Sequence, residues 1–331
     1  MPGSDHNPHK RRLYLPVVQA NGRQASFADT HEAHSVGCAQ KARPVRRPEW
    51  LKVKIRTGPN YSELKRIMRG LDLHTVCEEA GCPNIYECWE DREATFLILG
   101  DTCTRRCGFC DVMTAKPEPV DANEPQRVAQ AVQAMGLQYV VLTSVARDDL
   151  PDGGAGVWAA CIRAIRDAVP GCGVEVLPPD FKGDERAVAT VLEAEPDVFA
   201  HNLETVRRLH ARIRPAFSYD RSLGVLRMAK RIRPSQVTKS NLILGMGERP
   251  DEVPEAMQDV AATGCDLLTM GQYLQPTSFH LPVDRWAPPE EFERYAALGR
   301  EMGFAHVEAG PLVRSSYHAG KQLARALAGA S

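Results

Sequence analysis

The sequence predicts an α/β fold, a partial (β/α) barrel of the TIM type with an extension at each end. Three observations predict it. From residue 95 onward, strand-like and helix-like segments alternate at the spacing of a parallel sheet covered by helices. Six or seven such units follow one another, which favours a complete or partial barrel, although periodicity alone does not separate a barrel from an open sheet. The chain has 331 residues, 43% of them hydrophobic, enough for one large α/β domain or two modest ones.

Residues 1–47 are rich in Pro, His, Arg, Asn and Gly without periodicity, and read as a polar, flexible arm. Residues 48–92 form an N-terminal segment that carries three cysteines, 93–310 the barrel core, and 311–331 a C-terminal segment. In the core, TFLILG (95–100) is the first buried strand, followed by a helix over 124–135. YVVLTSV (139–145) is a β-branched strand, and 156–169 a helix. Strands at 174–179 and 198–203 enclose a helix at 184–195. Helices near 204–210 and 222–231 lead to NLILGMG (241–247), a strand running into a glycine turn. A helix at 251–263, a strand at 266–274, a helix near 289–302 and a strand at 305–310 complete the alternation. A C-terminal helix follows Tyr317.

The formal net charge of -1 gives no basic footprint, so no nucleic-acid partner is expected. No run of about 18 apolar residues is present, so no membrane span is expected. The first residues lack the apolar core of a secretory signal, which points to the cytoplasm. In a reducing compartment, grouped cysteines favour metal ligation or redox chemistry over disulfides. Basic residues do gather locally around Trp50, at Arg43, Arg46, Arg47, Lys52, Lys54 and Arg56, as a solvated arm or a docking site for an acidic protein.

Six of the ten cysteines fall in two triplets: Cys77, Cys82 and Cys88 in CEEAGCPNIYEC, and Cys103, Cys107 and Cys110 in CTRRCGFC. A four-iron cube needs four ligands, so each triplet leaves one position to fill. Structural zinc normally takes four closed ligands from paired CxxC motifs, and neither triplet holds two such pairs. A two-cluster electron carrier would need the closely spaced four-cysteine run, which is also absent. Cys161 and Cys265 read as small core residues, and Cys172 as a turn residue or the start of a strand. Cys38 reads as a spare thiol. Strand ends and their loops carry the chemistry of such folds. His201, Asn202, Glu204, Gly245, Gly247, Glu248 and Gln272 end strands and should share one rim with Cys103, Cys107 and Cys110.

The second triplet, directly after the first strand and with Phe109 before its last cysteine, resembles the signature loop of the radical S-adenosylmethionine (SAM) superfamily. The resemblance implies a partial barrel of the radical SAM type and a [4Fe–4S] cluster whose open iron chelates SAM. Reductive cleavage then gives a 5′-deoxyadenosyl radical that abstracts hydrogen from unactivated carbon. It also implies that Gly153 and Gly154 in ARDDLPDGGA meet the methionine end of SAM. Asn202 and Glu204 would suit the ribose hydroxyls or the amino-acid end, and NLILGMGE is similar to the adenine-side strand.

With the first triplet and RSSY (314–317) added, the chain closely resembles the lipoyl synthase family over about residues 48–331. LHTVCEEAGCPNIYECW, AHNLETV, RPAFSYDRSLGVL and PLVRSSYHAG carry the likeness. It implies that Cys77, Cys82 and Cys88 hold an auxiliary [4Fe–4S] cluster closed by Ser316, with Ser315 as the alternative. Arg314 reads as steadying the serine ligand or the RSSY turn, or as a surface salt bridge. That cluster would be the sulfur source for two insertions, at C6 and C8 of an octanoyl chain on a carrier lysine. The implied partners are octanoylated lipoyl-carrier domains of 2-oxoacid dehydrogenase complexes, the glycine cleavage H protein, a low-potential electron donor and an iron–sulfur carrier. The competing likeness is a radical SAM methylthiotransferase acting on RNA or protein, which should carry a different cysteine distribution and usually a nucleic-acid-binding domain.

Overall fold

The computed structural model describes residues 17–18, 24–25, 47–52, 58–79 and 81–329. Eight strands form one sheet: β1 (His74–Thr75), β2 (Thr95–Ile98), β3 (Tyr139–Ser144), β4 (Gly173–Leu177), β5 (Val198–Ala200), β6 (Val237–Leu244), β7 (Leu267–Gln272) and β8 (His306–Ala309). Spatial order follows chain order from β1 to β8. β2 to β8 are all parallel, and only β1 pairs antiparallel, with β2. Parallel neighbours in chain order require a crossover between each pair, and helices supply it.

Among the described residues, the α-helices α1 (Pro59–Gly70), α2 (Val76–Glu79) and α3 (Ile85–Glu90) precede the core. The crossovers are α4 (Glu124–Met135), α5 (Ala155–Ala168), α6 (Glu185–Glu193), α7 (Arg207–Ile213), α8 (Tyr219–Ile232), α9 (Glu252–Ala261) and α10 (Pro289–Glu301), and α11 (Ala319–Gly329) closes the chain. Two of their starts are closed by side-chain caps. The Asp184 side chain accepts from the Arg186 amide before α6, and Ser218 accepts from the Arg221 amide before α8. Trp158, Ile162, Val188 and Val225 fill the layer between sheet and helices.

The sheet curls. α11 touches β3 near one edge and β7 and β8 at the other. A helix about 10–12 Å wide cannot reach strands so far apart in a flat sheet at ~4.8 Å per strand. Leu323 and Ala326 of α11 pack on Val198, Val237 and Leu267, the first residues of β5, β6 and β7. α11 therefore plugs the N-terminal mouth of an open, partial barrel, and the C-terminal mouth is left for the strand-end loops.

The inner face carries a polar core. Lys239 Nζ lies 2.8 Å from Glu175 Oε1, and Glu175 Oε2 lies 3.1 Å from the Tyr139 hydroxyl. Lys239 and Glu175 are 0% and 1% exposed. This pair explains a boundary that differs from expectation. The strand expected from residue 241 begins at Val237, because VTKS looks polar in sequence yet faces inward with its lysine paired. α7 begins at Arg207 rather than 204, since Glu204 takes a φ of +70° and bridges to Leu242 instead. α8 starts three residues before the expected 222, at the residue after its Ser218 cap. Cys161 and Cys265 are buried as expected of core thiols, and Cys172, just before β4, is buried as well. Cys38, Arg43, Arg46, Lys54 and Arg56 lie outside the described residues.

Candidate functional site

The loop after β2 holds the second triplet. A two-residue parallel ladder, Thr102–Cys103 with Met113–Thr114, pins its two ends. Inside it, Arg105 is the anchor. Its guanidinium donates twice to Asp148, at 2.7 Å each, and once to Asp180 at 2.6 Å. Asp180 also receives Arg221. The Gly108 amide donates to Ile213 O (2.8 Å), and His280 Nε2 meets Cys110 O at 3.0 Å. A loop tied at this many points presents its thiols in a fixed geometry.

The thiols face donors. Cys103 Sγ accepts from the amides of Arg105 and Ala146, both at 3.3 Å. Burial pushes all three thiols up, Cys110 to about 12, while Arg214 beside Cys107 pulls that thiol back. A metal or cluster bound by these thiols would displace their protons. Arg105 and Arg214 stack over the Phe217 ring, with 4.3 and 3.8 Å from guanidinium carbon to centroid. Phe109 packs on the apolar layer around Leu203, Val206 and Leu209.

The other rim residues meet different fates. Glu204 Oε1 accepts from Asn202 at 3.0 Å and Oε2 from Asn241 at 2.9 Å. Burial raises its pKa, and Arg214 opposes that. Asn202 Oδ1 and His201 Nε2 are buried without a partner, so both can still accept a hydrogen bond. Gly153 and Gly154 have φ of +62° and +90°, and a Cβ there would stand 2.9 Å from the Phe181 ring and 2.5 Å from Leu99. Both glycines thus have a packing role. Glu248 accepts from the Gly245 and Met246 amides, and Gln272 binds the backbone of Arg285 and Ala287. These two side chains hold a loop rather than pointing into the rim.

The first triplet lies elsewhere. Cys77, Cys82 and Cys88 line one cavity with Ala94, Thr95, Tyr139 and Val141, at the N-terminal ends of β2 and β3. The two triplets thus lie at opposite ends of β2, whose four residues span roughly 13 Å. The same cavity is lined by Arg314, Ser316, Tyr317, Ala319 and Gly320. Ser315 is not among its lining residues. Residues 228 positions apart are joined where Asn84 Nδ2 donates to Leu312 O at 2.7 Å. The Tyr317 hydroxyl reaches Glu87 at 3.1 Å, and His318 reaches Glu93 at 3.2 Å. Arg314 forms no surface ion pair among the described residues; it lines this cavity instead.

The strap that delivers Ser316 runs over β7. The Gly310 amide donates to Met270 O, and the Gln272 amide donates to Pro311 O at 3.2 Å. A Cβ on Gly271 would stand 2.1 Å from Val313 O, so only glycine allows this approach. Burial pushes Cys77 to about 12 and raises Cys82 and Cys88 as well.

Among the described residues, no group of three or more His, Cys, Asp or Glu side chains is disposed to hold a single metal ion. A four-iron cube is wider than an ion and takes thiols that stand farther apart. Three half-buried thiols on one short loop with amide donors at one site, and three lining one cavity with a serine at the other, suit such cubes. Arg105, Asp148, Asp180, Arg221 and Phe217 were not singled out from sequence, although Arg105 and Asp148 sit within CTRRCGFC and ARDDLPDGG.

Comparison with known proteins agrees with this layout. The model of the radical SAM superfamily matches residues 97–260, and that of the N-terminal domain of lipoyl synthase matches residues 18–82. A lipoyl synthase of Rubrobacter xylanophilus is 59% identical over 86% of this chain and 88% of its own. That of Nocardia farcinica is 56% identical over 97% and 89%, and that of Mycobacterium tuberculosis 58% over 92% and 95%. Among solved structures, the FeFe-hydrogenase maturase HydG of Carboxydothermus hydrogenoformans has a TM-score of 0.50 at 14% identity, covering 73% of this chain and 63% of that one. Streptococcus suis SuiB gives 0.51 at 11% identity over 68% and 51%. Those two likenesses concern the fold.

Proposed function

The chain belongs to the lipoyl synthase family of the radical SAM superfamily, and we propose that its two thiol sites divide the family's reaction between them. It is a sulfur-inserting radical SAM enzyme that acts on octanoylated lipoyl carrier proteins. In this reading two sulfur atoms enter at C6 and C8 of the octanoyl chain. Cys103, Cys107 and Cys110 hold the cluster that receives SAM; Cys77, Cys82, Cys88 and Ser316 hold the cluster that is consumed. When bound, the first cluster and SAM supply the hydrogen-abstracting radical, and the second supplies the sulfur.

The observation that carries the reading is the shared cavity. RSSY is remote in sequence from the first triplet, yet Ser316 faces the same space as all three thiols. Ser316 is favoured over Ser315 because it lines that space. A hydroxyl ligand among thiolates is the mismatched member for iron, and so the one most readily released.

The remaining residues position. The Arg105–Asp148–Asp180 clamp fixes the SAM-binding loop, and Arg214 favours the thiolate of Cys107. Asn202 Oδ1 and His201 Nε2, buried and unpartnered, are acceptors for hydroxyl or ammonium groups of SAM. Gly153 and Gly154 let the chain pass close to Phe181 and Leu99 beside it. By strand alternation Leu97, Val141 and Leu177 face inward between the two sites, and there they would line the path of an aliphatic chain. Carrier domains of 2-oxoacid dehydrogenases and the glycine cleavage H protein are the proposed substrates. A low-potential donor and an iron–sulfur carrier serve the clusters in a reducing cytoplasm. In the basic segment near Trp50, Arg47 donates to Leu51 O, Lys52 pairs with Glu49, and Trp50 is 45% exposed, which leaves an aromatic contact for a docking domain.

The test is anaerobic reconstitution followed by incubation with SAM, dithionite and an octanoyl-lysine peptide. Mass spectrometry should find 5′-deoxyadenosine together with paired sulfur insertion. SAM cleavage without sulfur insertion in a chain holding both clusters would overturn the reading.

A further inference from the structure

Charge at the auxiliary cavity is unbalanced in a way that the four proposed ligands do not explain. Arg314 lines the cavity beside Cys82, partly buried. Its Nη1 donates to Val313 O at 2.6 Å, and no carboxylate among the described residues lies within ion-pair distance of it. Among the described residues that line the cavity the one acidic side chain, Glu93, is turned to His318 at 3.2 Å. Arg105 pairs with Asp148 and Asp180, and Arg147 with Asp149, whereas Arg214 donates to backbone carbonyls and, like Arg314, lies beside a cysteine, Cys107. A guanidinium withdrawn from water without an anion is costly, and positions of this kind are usually completed by one.

The chain holds Arg314 there deliberately. Its Nη1 would stand 3.1 Å from a Cβ at position 271, so the missing side chain of Gly271 makes room for the guanidinium as well as for Val313 O. The strap is fixed on both sides of it, by the Asn84 bond to Leu312 O and by the Tyr317 bond to Glu87. The backbone that carries Arg314 is thus anchored beside the cavity, and its guanidinium is held there by the bond to Val313 O.

We propose that Arg314 is the fixed counter-charge of the auxiliary cluster. A four-iron cube held by three thiolates and an alkoxide is net anionic, and the guanidinium is the cavity's standing cation. This rests on the reading that Cys77, Cys82, Cys88 and Ser316 hold a cluster. Arg314 is a positioning residue: it ligates no iron and touches no substrate. It stabilises the more reduced, more negative cluster and slows loss of iron from it, in the manner of outer partners at other metal sites.

The test uses the full chain with both clusters reconstituted, comparing the unsubstituted protein with Arg314→Gln and Arg314→Lys. The auxiliary signal is followed as the part of the electron paramagnetic resonance spectrum that SAM does not perturb. Arg314→Gln should lower the midpoint potential of that signal and release its iron to a chelator about 10- to 100-fold faster. Arg314→Lys, which keeps the charge, should stay near the unsubstituted protein in both. Equal potentials and release rates in Arg314→Gln and the unsubstituted protein would overturn the proposal. So would a lysine variant as impaired as the glutamine variant, including one in which neither retains the cluster, because shape rather than charge would then be the requirement. Failure of the underlying reading shows itself differently: the unsubstituted chain would reconstitute with one cluster only.

Discussion

Gly271→Ala tests the strap directly. The new methyl carbon would lie 2.1 Å from Val313 O and 3.1 Å from Arg314 Nη1. Ordinary contact begins near 3.4 Å, so the carbonyl must retreat by about 1.3 Å. The obstacle is backbone, tied to β7 through Met270 O and Pro311 O, so no rotamer change relieves it. Overpacking of this kind costs about 1–3 kcal/mol. A comparable shift carried three residues onward moves Ser316 off the thiol cavity. The alanine variant should therefore melt a few degrees lower, lose most of the iron and sulfide of the Cys77, Cys82 and Cys88 site, and retain the SAM-responsive cluster. Gly224→Ala is the control. It lies inside α8 with nothing within 4 Å of its Cβ position, and should gain about 0.5–1 kcal/mol. If Gly271→Ala matches that control and holds two full clusters, the close-approach argument is wrong.

Lys239→Met should cost about 3–5 kcal/mol, because it strands the buried Glu175 carboxylate. The double variant Lys239→Met/Glu175→Leu should cost less than Lys239→Met alone in thermal unfolding. Asp180→Asn removes an anion shared by Arg105 and Arg221, so the SAM-responsive cluster should lose iron about tenfold faster while the auxiliary cluster is unaffected. Burial holds the His201 imidazole at about 4, below its ordinary 6.5, so it stays neutral in the folded chain. Above pH 6.5 both states are neutral and stability is full; between 6.5 and 4 the unfolded chain takes the proton first and stability falls, by on the order of 3 kcal/mol. His201→Gln should flatten that acid limb of the melting profile, and parallel profiles would refute the assignment.

Much of this was legible in sequence because the relevant signals are local. The helix over 124–135 and the strand from 139 carry their periodicity on their own surface, and the structure places both there. The cysteine triplets declare themselves by spacing. What was hidden depends on distant partners. VTKS does not read as a buried strand until Glu175 is seen opposite Lys239. Arg105 is one charge among many until Asp148 and Asp180 close on it. Gln272 and Glu248 end strands as expected, yet their side chains are taken up by the Arg285 loop. The opposite placement of the two triplets along β2 is a property of the fold-back of residues 58–92 and of the 310–317 strap, and no local pattern encodes it.

The measurement that reaches furthest into the account is isotopic. The chain is reconstituted with heavy sulfide, freed of excess, and given SAM, dithionite and an octanoyl-lysine peptide in light-sulfur buffer, beside a variant with Cys77, Cys82 and Cys88 changed to Ala. The intact chain should yield a peptide carrying two heavy sulfur atoms, and the variant should still cleave SAM yet insert none. Light sulfur in the product, or paired insertion by the triple-alanine variant, would contradict the assignment of Cys77, Cys82 and Cys88 as the site of the sulfur source.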